Sequence, residues 1–436
     1  MRVLFVSSGN MIATHLAYLL KKEGNDVKLF VDDRDRRENF KGLLQRINDW
    51  RKELPWVGKT GLIVFDDTGY GEVQDTLRKE GYSVFGGCLA GDHLEKNREA
   101  AQRIFAECGI KIVPIQECYG VDEAIDFIKK NPDAWVIKQN DDASKSINYI
   151  PHFADGSDAI AMLESYRSSL KGPNIRITLQ QKIIGIEIAT SRFFNGTDWV
   201  GPIELNIEHK KLFPDDLGPA TSEMGTLAWY DTNENNPLFK ATLGRLKPYL
   251  QKIEYRGVID INCIVNENGA YPLEATPRFG SPIVYLQSEM HKTEWGSLLK
   301  AVADNKPYSF ETRKGFGIVT LVAVPPFPYT KKLPAISPRG LPIYFDKSMN
   351  DRDMSHIHFE GVMATEKAGG ELEYKIADYQ GYVLYVTSVS ADIRRARKKI
   401  RALIDKIYIP KMFYRNDIGL GFLKRGKRQL ELWGYL

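Results

Sequence analysis

Residues 2–31 constrain the fold more than any other stretch. "RVLFVSSGN" is a short unbroken apolar run, and "MIATHLAYLLKKEGNDVKLFV" follows with helical periodicity closed by Gly24 and a second apolar run ending before Asp32 and Asp33. Two strands joined through a helix must run parallel, so the chain opens as a βαβ unit. "GLIVFDD" (61–67), "GEVQDTLRKE" and "GYSVFGG" (81–87) continue the alternation. Residues 1–92 are therefore predicted to form a small doubly wound, Rossmann-like α/β domain. Its first βα turn holds only Gly9, not the three glycines of a dinucleotide fingerprint, which argues against a nicotinamide cofactor.

From residue 93 the texture changes. "LEKNREAAQRIFAECGIKIVP" predicts a helix ended by Gly109 and an emerging strand, and "DEAIDFIKKNPDAWVIKQN" a helix and a strand with Lys138 near its end. "DDASKS" is a polar loop of small residues. "NIRITLQQKI", "IEIATSRFFNG" and "WVGPIELNIEHKK" alternate apolar and polar positions, as an antiparallel sheet requires. A helix in "NNPLFKATLGRLKPYLQKI" then leads to "GVIDINCIV", "NENG" and "AYPLEAT", a hairpin turning at Gly269. Beyond about residue 312, "RKGFGIVTLVAVPPFPYTKK", "GYVLYVTSVS" and "DIRRARKKIRALIDKI" suggest a small α+β domain. The expected class is a mixed α/β and α+β multidomain chain, divided as 1–92, 93–311 and 312–436.

Composition limits the partners. Sixty basic and 56 acidic side chains nearly cancel, so no global field draws the chain to nucleic acid or an anionic membrane. The basic residues of 394–428 alternate with apolar ones, the pattern of a solvated helix face. Four scattered cysteines form neither a zinc ribbon nor a disulfide framework and fit a reducing cytosol. The opening apolar run is too short for a signal peptide, and no segment approaches a membrane span. A cytoplasmic protein, monomeric or a small homo-oligomer, is expected.

The hairpin carries the chemistry. Asn262 and Glu274 fall on neighbouring strands either side of the turn, and Thr276 points to the same side as Glu274. Oxygen donors from adjacent strands suit Mg²⁺ that keeps waters and shares its other positions with phosphates. From this geometry alone an exposed strand glutamate with polar neighbours fits equally well.

Combined with Lys138 before its small-residue loop, Glu187 after a turn glycine and "IEHKKLFPDDLGPATSEMG" (207–225), the hairpin and its sequel "LEATPRFGSP" resemble the ATP-grasp ligases. Within that family the likeness is to the glycinamide ribonucleotide synthetases (phosphoribosylamine–glycine ligases of purine synthesis). The likeness extends over most of the chain, to "YRNDIG" near its end. It implies a central ATP-grasp of two lobes, with ATP and Mg²⁺ as cofactors and small-molecule carboxylate and amine as substrates. It further implies that Arg98 and Lys138 meet the nucleotide phosphates, that Gln180, Lys182 and Ile183 border adenine, and that Glu187 holds the ribose. Glu274 would be the surest Mg²⁺ ligand, with Asn262 and Thr276 beside it. His209, Lys210, Asp216, Gly218, Met224, Gly225, Arg278 and Gly280 would line the acceptor side, with Lys210 and Arg278 acting in catalysis. The loop at 139–146 would cover the triphosphate.

The departures from that family also carry information. Asn10 lies in "SGNMIATH", where the family has an arginine–glutamate pair, and "DDASKS" is poor in glycine. Arg98 replaces a lysine, and Thr276 an asparagine. Ala220, Ser222 and Glu223 replace an asparagine and two glycines, and Tyr382 an arginine. An altered amine acceptor is expected; the alternatives are the ordinary phosphoribosylamine–glycine ligase, or an ATP-binding regulator or scaffold without turnover.

Overall fold

The computed structural model describes residues 1–139, 148–168, 176–329, 336–367 and 369–436. The small-residue loop, and with it the expected triphosphate cover, lies outside the described residues apart from Gln139.

Strands β1 (Arg2–Ser7), β2 (Asp26–Val31), β3 (Gln45–Arg46), β4 (Leu62–Phe65) and β5 (Val84–Phe85) form one parallel sheet in the order β3-β2-β1-β4-β5. The order reverses beside β1, so the turns after β1 and β4 open into a crevice at the carboxyl ends of the strands.

Strands β6 (Ile115–Tyr119), β7 (Trp135–Gln139) and β8 (Arg176–Gln181) make a separate antiparallel sheet in the order β6-β8-β7. The helix Val121–Lys130 sets Val121, Ala124, Ile125 and Ile128 along one stripe, which packs with Leu163, Ile177 and Leu179 into a core of its own. Acidic Asp122 and Glu123 at its start and Lys129 and Lys130 at its end suit the helix dipole.

The largest sheet includes β9 (Ile186–Asn195), β10 (Trp199–Glu208), β13 (Gly225–Asp231), β14 (Arg256–Asn266), β15 (Gly269–Thr276), β16 (Phe316–Ala323), β18 (Ile357–Phe359) and β21 (Tyr382–Ser390). Its order is β15-β14-β9-β10-β13-β16-β21-β18, with β23 (Phe413–Tyr414) against β16. Because β16 pairs with β13, hydrogen bonding runs without interruption past residue 312. The short strands β11 (Lys211–Phe213) and β12 (Leu217–Ala220) pair with each other, and β17 (Pro342–Phe345), β19 (Val362–Glu366), β20 (Leu372–Ile376) and β22 (Ile407–Tyr408) form a further sheet.

Two expected helices are interrupted. The first is two helices, Leu89–Lys96 and Arg98–Glu107, because Asn97 is extended and its Oδ1 accepts the Ala100 N–H at 3.0 Å. In the second, Thr242 leaves helical geometry, its Oγ1 donates to the Leu238 carbonyl, and Pro248 begins a new helix at Lys247–Lys252.

Candidate active site

The nine-stranded sheet lays a polar floor. Asn262 stands opposite Glu274, Asp260 opposite Thr276 and Ser191, and Ser191 opposite Glu204. Alternation along "IELNIE" sends Glu204, Asn206 and Glu208 to this face while Ile203 and Leu205 join the apolar core. A cavity of about 440 Å³ lies over the floor. Its walls come from Asn10, Ile12 and Arg36 near the amino terminus, Ser222 and Glu223 before β13, Arg278, Gly280, Ser281 and Ile283, and Glu360, Gln380, Tyr382 and Tyr385 near the carboxyl terminus.

Lys210 is the centre of the floor's charge. Its Nζ lies 2.7 Å from Glu187, 3.0 Å from Glu208 and 3.8 Å from Glu274. Burial opposes its charge, but Glu208, Glu187 and Glu274 hold its pKa above the ordinary value. Asn262 donates its Nδ2 to Glu187 at 2.7 Å and to Glu208 at 3.3 Å, while its Oδ1 is buried without a donor among the described residues. Glu187 thus joins the Lys210 cluster. Desolvation opposes the charge of Glu274, while Lys210, Arg98, Lys138 and Arg278 hold it below the usual carboxylate range.

Arg278 explains its place after the hairpin. Its guanidinium donates to Glu95 at 2.9 Å, lies 3.2 Å from Asp67 and donates to the Phe279 carbonyl. Asp67 in turn accepts from Ser8 Oγ and Asn10 Nδ2, so this arginine ties the turn after β1 to the hairpin. On the other side of Glu274, Lys138 is pushed down to about 7 by burial, Arg98 and Lys210. Arg98 is likewise lowered by burial, and its NH1 has no partner among the described residues.

These residues fit a magnesium nucleotide. Arg98 and Lys138 are cations short of anions, and the orphaned Asn262 Oδ1 beside Glu274 is an oxygen donor short of a partner. Among the described residues no three His, Cys, Asp or Glu side chains form a metal cage. Gln180 is buried with Nε2 unpartnered among the described residues, and Lys182 donates to the Pro151 carbonyl at 2.6 Å; Ile183 follows in the crossover from β8 to β9.

The expected acceptor residues divide. Lys210, Arg278 and Gly280 line the cavity. His209, Asp216, Gly218, Met224 and Gly225 do not; they brace the segment that carries Glu223. His209 exchanges backbone bonds with Gly225 and Met224, and its Nε2 accepts the Gly419 N–H at 3.1 Å; burial pushes it down to about 4, leaving the ring neutral. Asp216 pairs with Arg415 at 2.8 Å, Gly218 packs on Phe213, and Met224 is in the core.

Sequence reasoning missed Asp67, Glu95, Glu208, Asp260 and Arg36. Polar residues recurring every second position in "IELNIE" were the available signal for Glu208. Nothing local marks Arg36, whose Nε lies 2.9 Å from Asp378, 342 residues away in the chain.

Residues 96–284 match the family model described as the phosphoribosylglycinamide synthetase ATP-grasp (A) domain. The phosphoribosylamine–glycine ligase of Clostridium acetobutylicum is 21% identical over 355 residues, covering 80% of this chain and 81% of its own. That of Helicobacter pylori is 24% identical over 360 residues, covering 80% and 79%. Among solved structures, phosphoribosylamine–glycine ligase of Thermotoga maritima superposes with a TM-score of 0.69 at 20% identity, covering 96% of this chain and 100% of that one. A biotin carboxylase–βγ-ATP complex from Campylobacter jejuni gives 0.61 at 13% identity, covering 97% and 95%.

Proposed function

We propose that the chain is an ADP-forming, Mg²⁺-dependent carboxylate–amine ligase with an altered amine acceptor, a reading supported by the match of residues 96–284 to the phosphoribosylglycinamide synthetase ATP-grasp (A) domain. The observation that supports it most is the meeting of the cations Arg98 and Lys138, underpaired among the described residues, with Glu274 and the orphaned Asn262 oxygen at the edge of a polar cavity. One side of Glu274 suits phosphates, the other an acceptor.

A carboxylate oxygen of the first substrate attacks the γ-phosphorus of ATP; the bond from that phosphorus to the bridging oxygen breaks and ADP leaves. The acceptor's amine lone pair then attacks the acyl carbon. A carbon–nitrogen bond forms, the bond to phosphate breaks, and the amine proton departs with the phosphate. Bound Mg²⁺ would neutralise phosphate charge, held by Glu274 with Asn262 and Thr276. Lys138 and Arg98 would bind the triphosphate, Glu187 and the segment from Gln180 to Ile183 the nucleoside. Arg278, fixed by Glu95 and Asp67, is positioned to meet developing negative charge. No covalent enzyme intermediate is required, since the work is positioning and charge stabilisation.

The altered acceptor is expected from Asn10, Ala220, Glu223 and Tyr382; Asn10, Glu223 and Tyr382 line the cavity together with Ser222, while Ala220 ends β12 and is not part of its lining. Supplying glycine with freshly made phosphoribosylamine tests it. Turnover below roughly 10⁻² s⁻¹, against the ordinary enzymic range near 1 s⁻¹ and above, is expected. Turnover in that ordinary range would instead make the chain a conventional phosphoribosylamine–glycine ligase.

A further inference from the structure

The charge inside the cavity narrows the acceptor further. Six carboxylates face it, from Glu95, Glu208, Glu223, Asp260, Glu274 and Glu360, against three cations, Arg36, Lys210 and Arg278. Each cation is already committed. Arg36 lies 2.9 Å from Asp378 and 3.3 Å from Glu360, Lys210 sits among its glutamates, and Arg278 holds Glu95 and Asp67. Among the described residues a phosphate-bearing acceptor would therefore find no lining cation without a carboxylate partner.

Two of the carboxylates have the opposite need. Glu223 is 6% exposed and accepts a hydrogen bond from Thr226 Oγ1; Asp260 is 9% exposed and accepts from Asn206 Nδ2 at 3.1 Å. Neither makes an ion pair among the described residues, and both line the cavity. Tyr382, which also lines the cavity, offers only a hydroxyl, 3.2 Å from Ser222 Oγ. A buried carboxyl group without a cation is held neutral, and a ligand that brings positive charge lets it ionise and pair.

We infer that the amine acceptor carries a second, positively charged group besides the nitrogen that reacts, as a diamine or polyamine does, and that this group sits against Glu223 and Asp260. The inference rests on the ligase reading above. Asp260 is two residues from Asn262 and opposite Thr276, so an acceptor anchored there extends its free amine toward Glu274, where the acyl phosphate forms. The second ammonium keeps its proton throughout and takes no part in bond making.

The test uses the full chain with Mg²⁺ and a non-hydrolysable ATP analogue, titrated calorimetrically with a short α,ω-diamine, the amino alcohol of the same length and the phosphate ester of that alcohol. The diamine should bind at least about tenfold more tightly than the amino alcohol, the scale of one charge-assisted contact, and the phosphate ester most weakly. Glu223→Gln should compress the diamine preference by about tenfold, and Asp260→Asn should do the same if the Gln variant folds poorly. A phosphate ester that binds as well as the diamine, a preference unchanged in both variants, or no diamine binding while the analogue still binds would overturn the inference. Failure of the analogue itself to bind would overturn the ligase reading and this inference with it.

Discussion

Glu274 keeps its charge because Lys210, Arg98, Lys138 and Arg278 outweigh the desolvation it suffers. Glu274→Gln should remove Mg²⁺-dependent nucleotide binding and lower turnover by on the order of 10²-fold or more, while Lys210 retains Glu187 and Glu208 and the fold survives. Parent-like Mg²⁺ titrations of that variant would contradict the metal assignment. Lys138 gives a pH signature. Its pKa is pushed down to about 7, below the unfolded lysine value of about 10.4, so between these limits the unfolded chain binds more protons and this lysine makes the empty protein more stable as pH rises. A triphosphate reverses the balance by favouring the charged form. Above about pH 7, nucleotide binding should take up a proton, so that affinity falls as pH rises and the measured enthalpy shifts with the buffer's ionisation heat. Proton release, or a flat profile, would remove Lys138 from the phosphate site.

At the scale of elements, the segment from β10 to β13 fixes the cavity wall that carries Glu223. Gly225 begins β13 with φ +155, and a Cβ there would fall 2.4 Å from the Val319 carbonyl oxygen. Gly225→Ala should cost about 1–3 kcal/mol of stability and weaken acceptor binding through displacement of Glu223, with nucleotide binding kept; thermal unfolding and paired titrations read both effects. The hairpin was legible in the sequence because turn chemistry and alternation set its register, and Asn262 does face Glu274. The floor was less legible. Alternation in "IELNIE" separates two faces but does not say that the polar one is roofed by distant segments, so Glu208 and Asp260 read as ordinary strand residues. The same limit applies to His209 and Met224, whose sequence neighbourhood matches an acceptor loop while their side chains brace it from behind.

The whole molecule closes the cavity through long-range ion pairs. Arg36 joins the amino-terminal sheet to Asp378 and Glu360, and Arg278 joins the hairpin to Asp67 and Glu95. Arg36→Met would strand two buried carboxylates and should destabilise the protein by about 3–5 kcal/mol, read from denaturant unfolding. These pairs were invisible beforehand, since pairing across hundreds of residues depends on the assembled fold; the separate segments 1–92, 93–311 and 312–436 remain a proposal about how it is divided. Burying a polar, carboxylate-rich chamber between distant segments makes sense for a reaction that must keep water from an acyl phosphate. The most direct test of the ligase account is ADP release with ATP and Mg²⁺ across a panel of amino acids and amines, each supplied alone and together. ADP should form in step with amide only when one carboxylate and one amine are both present. ADP formed equally without the amine, or no ADP under any pairing despite tight nucleotide binding, would contradict it.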